Sequence, residues 1–222
     1  MFTLIILHGW GQDRSVWHKF AADFDAANAI AWDLPGFGAE PLVSEDWGVP
    51  EYATWVVNKI ESQKLENVVL CGHSFGGRIS SYIAAQHPAW LRGLILDGAP
   101  SIYRPSLDIK AKILLAKLMK RLGVKRRVIG NSELQNANSR GLGQIFRKVV
   151  NFDQTELLPK INVPTLLIWG EKDDIVPLRI AYEIQKLIPA SQLKVIPGAG
   201  HHTYQHNPYL FYGTVKNFIE SL

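Results

Sequence analysis

The sequence has one cysteine, Cys71, among 222 residues, so no disulfide can form within the chain and a disulfide-stapled fold is excluded. Long hydrophobic runs are also lacking. The longest near the start, Leu4 to Leu7, falls far short of the ~20 apolar residues that span a bilayer, so no transmembrane segment is expected. No basic stretch followed by an apolar core opens the sequence, which argues against a signal peptide and for a cytoplasmic setting. Paired cysteines and H-E-x-x-H spacing are missing, although His201, His202 and His206 lie close together, and no metal is expected. There is no G-x-G-x-x-G after the first strand and no Walker pattern, so no nucleotide cofactor is expected either. Repeats and low-complexity tracts are absent. What is present is globular: 47% hydrophobic, 20% charged and 10% aromatic residues, in a length that suits one domain or one domain with a large insertion.

The net charge of +4 is unevenly spread. Arg104 to Lys148 holds twelve Lys or Arg against Asp108 and Glu133, a net of +10, while the remainder carries −6. An acidic body therefore bears a strongly basic segment.

Six short apolar runs, each closed by Gly or Pro, read as strands: Phe2–Leu7, Ala29–Trp32, Asn67–Cys71, Leu91–Leu96, Thr165–Trp169 and Leu193–Ile196. Near-continuous apolar strands of this kind belong to a parallel sheet buried on both faces. Helical stretches fall between them, at about Ser15–Ala27, Glu51–Lys64, Ser74–Gln86, Leu178–Leu187 and Pro208–Ile219, with Pro50 and Pro208 suited to helix starts. The alternation predicts a doubly wound α/β fold, with ligands at the carboxyl ends of the strands. From Ser101 to about Leu158 no strand is apparent. This span is expected to be an insertion of helices, one over Ile109–Leu122 with an apolar face of Ile113, Leu114, Leu118 and Leu122, and another near Gly143–Val150.

Gly72-His73-Ser74-Phe75-Gly76 sits between a strand and a helix, which is the setting of a G-x-S-x-G nucleophile elbow. Side chains two before and two after the serine would collide with the neighbouring strand and helix, so both positions are glycine. A serine hydroxyl needs a base, and the base needs an orienting carboxylate. The loop after the fifth strand offers Asp173, with Asp174 as the rival. The loop after the sixth offers His201, with His202 as the rival. The loop His8-Gly9-Trp10-Gly11 leaves the first strand, and its Trp10 N–H is expected to join the N–H of Phe75 in an oxyanion hole. Asp33 and Asp97, which end strands on the same edge, read as structural, with Asp97 the fallback acid. Cys71 reads as core.

Together these motifs, with Asp33-Leu34-Pro35-Gly36-Phe37-Gly38 and Pro197-Gly198-Ala199-Gly200-His201, resemble the α/β-hydrolase superfamily over the whole chain except the insertion. Among its branches the sequence resembles small carboxylesterases, such as the pimeloyl-carrier-protein methyl ester esterases. The resemblance implies about six mostly parallel strands with helices on both faces. It implies a core of residues 1–100 and 159–222 and a helical cap, residues 101–158, between strands four and five. It implies a Ser74-Asp173-His201 triad, an oxyanion hole of Trp10 and Phe75, and no cofactor. Trp10, Phe75, Leu114 and Leu118 are the expected substrate contacts. Relatives that are dehalogenases or epoxide hydrolases place an aspartate where Ser74 stands. A C–C bond hydrolase, a lyase or a ligand receptor with a residual triad stay open beside the esterase. The strand hairpin typical before the first strand is not found, which leaves a sheet edge uncovered and either a monomer or an edge-paired dimer. The basic segment, Lys110 to Lys148, reads as a solvated face, as a dock for an anionic substrate or an acidic carrier protein, or as a contact with an anionic membrane surface. Nucleic acid is disfavoured because aromatics do not interleave with it.

Overall fold

The computed structural model describes residues 2–103 and 132–222. Its centre is one sheet of six parallel strands in the order β2-β1-β3-β4-β5-β6. These are β1 (Thr3–Leu7), β2 (Asn28–Trp32), β3 (Val68–His73), β4 (Leu91–Asp97), β5 (Thr165–Gly170) and β6 (Ser191–Ile196). All six were expected from the apolar runs. The four inner strands are buried on both faces, but the outer two are not: β6 alternates, with Gln192 and Lys194 exposed, and β2 begins at exposed Asn28. An outer strand has one neighbour and less cover, so solvent reaches one of its faces.

Period-two alternation divides the core into two layers. Ile5, Leu7, Leu70, Leu94 and Leu167 face one side, where they meet Tyr52, Val56, Ile79, Ile83 and Ile184. Those residues come from α2 (Val49–Ser62), α3 (Phe75–Ala84) and, at Ile184, α6 (Leu178–Leu187). Leu4, Ile6, Val69, Cys71, Ile95 and Ile168 face the other side, against Trp17, Phe211, Val215 and Phe218. That side is covered by a 3-10 turn (Arg14–Trp17), by α1 (His18–Asp23), by the short α7 (Thr203–His206) and by α8 (Pro208–Glu220). Cys71 is fully buried, and burial raises its thiol pKa.

Helix starts follow local chemistry. Gly48 N–H donates to the Glu51 carboxylate at 2.7 Å ahead of Pro50 in α2, and Leu210 N–H donates to Asn207 Oδ1 at 3.2 Å ahead of α8. The helix expected over Ser15–Ala27 is shorter. Its first turn is 3-10, begun by Asp13, whose side chain accepts from Ser15 N–H at 2.8 Å. It ends at Asp23, because Phe24 turns extended and buries its ring beside Phe20 and Tyr212. The helix expected from Ser74 starts one residue later, at Phe75.

Within the expected insertion, α4 (Ser132–Ser139) and α5 (Gly143–Asn151) are described; the helix expected over Ile109–Leu122, with Leu114 and Leu118, lies outside the described residues. Ala137, Leu142, Ile145, Phe146 and Val149 join the core layer of α2 and α3. Lys148 pairs with exposed Asp46 at 2.6 Å. The segment returns to the body through buried polar bonds. The Arg78 guanidinium donates to Phe152 O at 2.7 Å, and burial lowers its pKa to about 10. Gln154 N–H donates to Ser101 O at 3.0 Å, and Ser81 Oγ donates to Gln154 Oε1 at 2.7 Å.

The approach at Gly76 is too close for any side chain: a Cβ there would overlap the carbonyl of Leu7 in β1. Gly76→Ala is expected to destabilise the protein by at least about 2 kcal/mol, read as a lower urea midpoint at unchanged slope.

Candidate active site

All six strands run at their carboxyl ends into a polar residue or a glycine loop, on the edge where parallel α/β folds place their ligands. Ser74 caps β3 with φ +49° and ψ −107°, a strained conformation for a residue with a side chain. The strain is held from both sides. Ser74 N–H donates to Asp97 O at 2.9 Å, and Gly76 N–H donates to His8 O at 3.1 Å. A Cβ at Gly72 would overlap Gly76 O, and one at Gly77 would overlap Ala99 Cβ. Sequence reasoning anticipated the first of these contacts; Gly77 against Ala99 is additional. The turn leaves Ser74 partly exposed, while its neighbours His73 and Phe75 are buried.

Asp173 and His201 meet across two loops. Asp173 Oδ2 accepts from His201 Nδ1 at 2.8 Å, and Oδ1 accepts from the N–H groups of Ile175 and Val176 at 3.0 and 2.8 Å. The side chains are 0% and 6% exposed. With Nδ1 held by the carboxylate, the other ring nitrogen of His201 is free to exchange a proton. The rivals do not take these places: Asp174 is exposed, and His202 faces His73 instead. The two loops are knitted together by Lys172 N–H to Ala199 O at 2.8 Å and Gly198 N–H to Glu171 Oε2 at 2.8 Å.

The loop after β1 is folded over the elbow. His8 donates from Nδ1 to Gly9 O at 2.8 Å and accepts at Nε2 from Leu34 N–H at 3.0 Å, which clips the end of β1 to the end of β2. Both bonds fix the neutral imidazole, and burial lowers the pKa of His8 accordingly. Gly9 touches the His73 ring, where a Cβ would stand 2.9 Å from it. The Trp10 ring meets Phe37, Phe75 and Phe146 edge-on at 5.1, 5.3 and 5.1 Å. Phe146 belongs to α5, so the described part of the insertion reaches the site at Trp10. Among the described residues the N–H groups of Trp10 and Phe75 donate no hydrogen bond.

A second network was not foreseen. Asp97 Oδ2 accepts from His73 Nδ1 at 2.9 Å and Oδ1 accepts from Thr203 Oγ1 at 2.6 Å. His73 Nε2 lies 3.2 Å from His202 Nδ1. Gln12 donates to Tyr204 OH at 3.0 Å and accepts from Gly9 N–H at 3.0 Å. The one signal for it in the sequence was Asp97 at a strand end on this edge. Asp33 is structural as expected: it accepts from Arg14 N–H and Ala39 N–H at 2.7 and 3.0 Å. Among the described residues no group of three or more His, Cys, Asp or Glu is placed to hold a metal ion, and no helix is long and apolar enough to cross a membrane.

The profile of the alpha/beta hydrolase family matches residues 4–212. The chain belongs to the alpha/beta hydrolase family. This alpha/beta hydrolase is 27% identical over 253 residues to a pimeloyl-[acyl-carrier protein] methyl ester esterase of Wigglesworthia glossinidia brevipalpis, covering 98% of this chain and 93% of the relative. It is 27% identical over 245 residues to the uncharacterized hydrolase YugF of Bacillus subtilis, covering 98% and 90%. A thermophilic esterase from Thermogutta terrifontis has a similar structure, with a TM-score of 0.79 at 23% identity over 100% of this chain and 90% of that one. At that identity the likeness shows the fold.

Burial among imidazoles makes this edge of the hydrolase sensitive to acid. His202 is pushed down to about 4, by burial first and then by His73 and His201. An unfolded histidine titrates near 6.5 and takes its proton first, so stability is full above pH 6.5 and is lost as pH falls towards 4. Thermal unfolding across that window should show a falling Tm in the wild type and a shallower fall in His202→Gln.

Proposed function

We propose that the chain is a serine hydrolase that cleaves carboxylic esters through an acyl-enzyme. The observation that carries this reading is the buried 2.8 Å Asp173–His201 pair on the same sheet edge as Ser74, which is held at positive φ on its elbow. In the proposed reaction Nε2 of His201 takes the proton of Ser74 Oγ as the oxygen attacks the ester carbonyl. Asp173, kept in place by two backbone N–H groups, fixes the imidazole by its Nδ1 and stabilises the imidazolium that forms. The unengaged N–H groups of Trp10 and Phe75 serve as the oxyanion donors, Phe75 with the added help of the α3 N-terminus. His201 then protonates the leaving alcohol, and water repeats the sequence on the acyl-enzyme.

Residues 101–158 act in this reading as a cap. Phe146, Trp10, Phe37 and Phe75 form an aromatic wall for the acyl group. Leu114 and Leu118, the other expected contacts, lie outside the described residues, as does most of the basic run. Its described members are engaged locally: Arg140 donates to Gly36 O, Arg147 to Asn138 and Lys148 to Asp46. An acyl chain presented by an acidic carrier protein is the finer substrate class, supported by the segment's net +10 and by the relative from Wigglesworthia, a pimeloyl-[acyl-carrier protein] methyl ester esterase.

Hydrolysis of p-nitrophenyl esters of graded chain length tests the reading. Wild type should turn over, and Ser74→Ala and His201→Ala should each lose at least about 10³-fold in kcat with the fold intact. Turnover that survives in Ser74→Ala would overturn it. Folded wild type that is inert on every ester but active on a β-keto or dienoate substrate would favour the lyase or C–C hydrolase.

A further inference from the structure

Asp97 ends β4 with no exposure to solvent, and it does not serve as the carboxylate of the Asp173–His201 pair. A buried carboxylate is costly unless its lone pairs are filled. Here each acceptor it offers is taken by a different part of the site. Its main-chain carbonyl accepts from Ser74 N–H at 2.9 Å, the residue whose backbone is strained. Its Oδ2 accepts from His73 Nδ1 at 2.9 Å, on the residue before the serine. Its Oδ1 accepts from Thr203 Oγ1 at 2.6 Å, two residues after His201. The His73 ring thus held lies 4.8 Å from the His201 ring, tilted by 49°, and forms a wall beside it. The next residue, Gly98, closes the other side: with φ +55°, a Cβ there would stand 3.1 Å from the His201 ring and 3.4 Å from Asp173 Oδ2.

We propose that Asp97 is a positioning residue for the hydrolytic reaction, registering the His201 loop against the nucleophile elbow through Thr203 and His73. The proposal rests on the serine-hydrolase reading above. Its physical content is geometric. Ser74 and His201 sit on loops leaving different strands, β3 and β6, with β4 and β5 between them. A rigid acceptor on β4 that bonds to both loops fixes their separation, and a displacement of about 1 Å between reacting groups is enough to cost about 100-fold in rate. A carboxylate placed only to fill space would hold the fold without setting that distance.

The test uses Thr203→Val, which keeps the shape and removes the hydroxyl, Thr203→Ser, which restores it, and Asp97→Asn, which keeps the shape, removes the charge and replaces one of the two acceptor oxygens by a donor. Two rates are read in each: turnover of a p-nitrophenyl ester and covalent labelling of Ser74 by a fluorophosphonate. Folding is followed by Tm. Thr203→Val and Asp97→Asn should lose about 10–100-fold in kcat and in labelling rate, with KM within about three-fold. Thr203→Ser should return to within about three-fold of wild type. Folded Thr203→Val with both rates within about two-fold of wild type would overturn the proposal, as would a loss that Thr203→Ser does not restore. If Asp97→Asn fails to fold, the Thr203 pair decides. The serine-hydrolase reading has its own failure: a wild-type chain that the fluorophosphonate does not label at Ser74 brings down both, whereas a labelled wild type with unaffected variants removes only the role of Asp97.

Discussion

Helix α3 lies so close to the carboxyl ends of β1 and β4 that only hydrogen fits at three of its contacts. Gly76 rests on the Leu7 carbonyl, Gly72 on the Gly76 carbonyl, and Gly77 on Ala99. This approach forces the backbone through positive φ at Ser74, because a chain leaving β3 has no slower way to enter the helix. The same approach lets Gly76 N–H reach His8 O, which draws the loop carrying Trp10 over the serine. It also sets Phe75 against the Trp10 ring and leaves Ser74 partly exposed between two buried neighbours. A strained turn persists only where its surroundings over-determine it, and here they do so through β1, β4 and the helix itself.

Charge is handled by the same economy of space. Asp97 and Asp173 are both buried, and each has its oxygens filled by directional donors from separate elements. His8 and His202, by contrast, are held below the usual histidine range by burial. The edge therefore sets two hydrogen-bonded carboxylates beside imidazoles, two of which burial holds below the usual histidine range. In the proposed reaction, proton transfer would need little reorganisation of these bonded groups, the condition under which preorganised dipoles act most strongly.

Much of this was legible in the sequence because its signals are local. The six strands are apolar runs closed by Gly or Pro, and the elbow is a five-residue pattern whose glycines have a steric cause. Asp173 and His201 stood out because each follows a strand on the same edge of the sheet as Ser74. The choice between them and Asp174 or His202 was harder, because it depends on which side chain turns inward, and that is decided by Val176 N–H and by His73. The network around Asp97 was hidden for a different reason. Its partners are 24 and 106 residues away, and Asp, His and Thr have ordinary uses at strand ends. The end of α1 was misjudged because Ala26 and Ala27 continue a helical pattern, while Phe24 is drawn out of it by Phe20 and Tyr212, a contact with the far end of the chain.

The bonds that join Ser101 to Gln154 have a meaning for how such a chain diversifies. Gln154 N–H meets Ser101 O, both side chains bond to Ser81, and Arg78 caps the carbonyls just before them. The two ends of the intervening segment are thus one hydrogen bond apart and anchored on α3, the helix that follows Ser74. The body meets the segment as a closed loop whose mouth has a fixed width. Doubling the length of such a loop adds only about 0.6 kcal/mol of closure entropy. Residues between the clasp can be lengthened, shortened or exchanged over evolutionary time while β1, β3 and β4 keep their register. The scaffold is in this sense a socket, and new specificities can be fitted to it without rebuilding the machinery underneath.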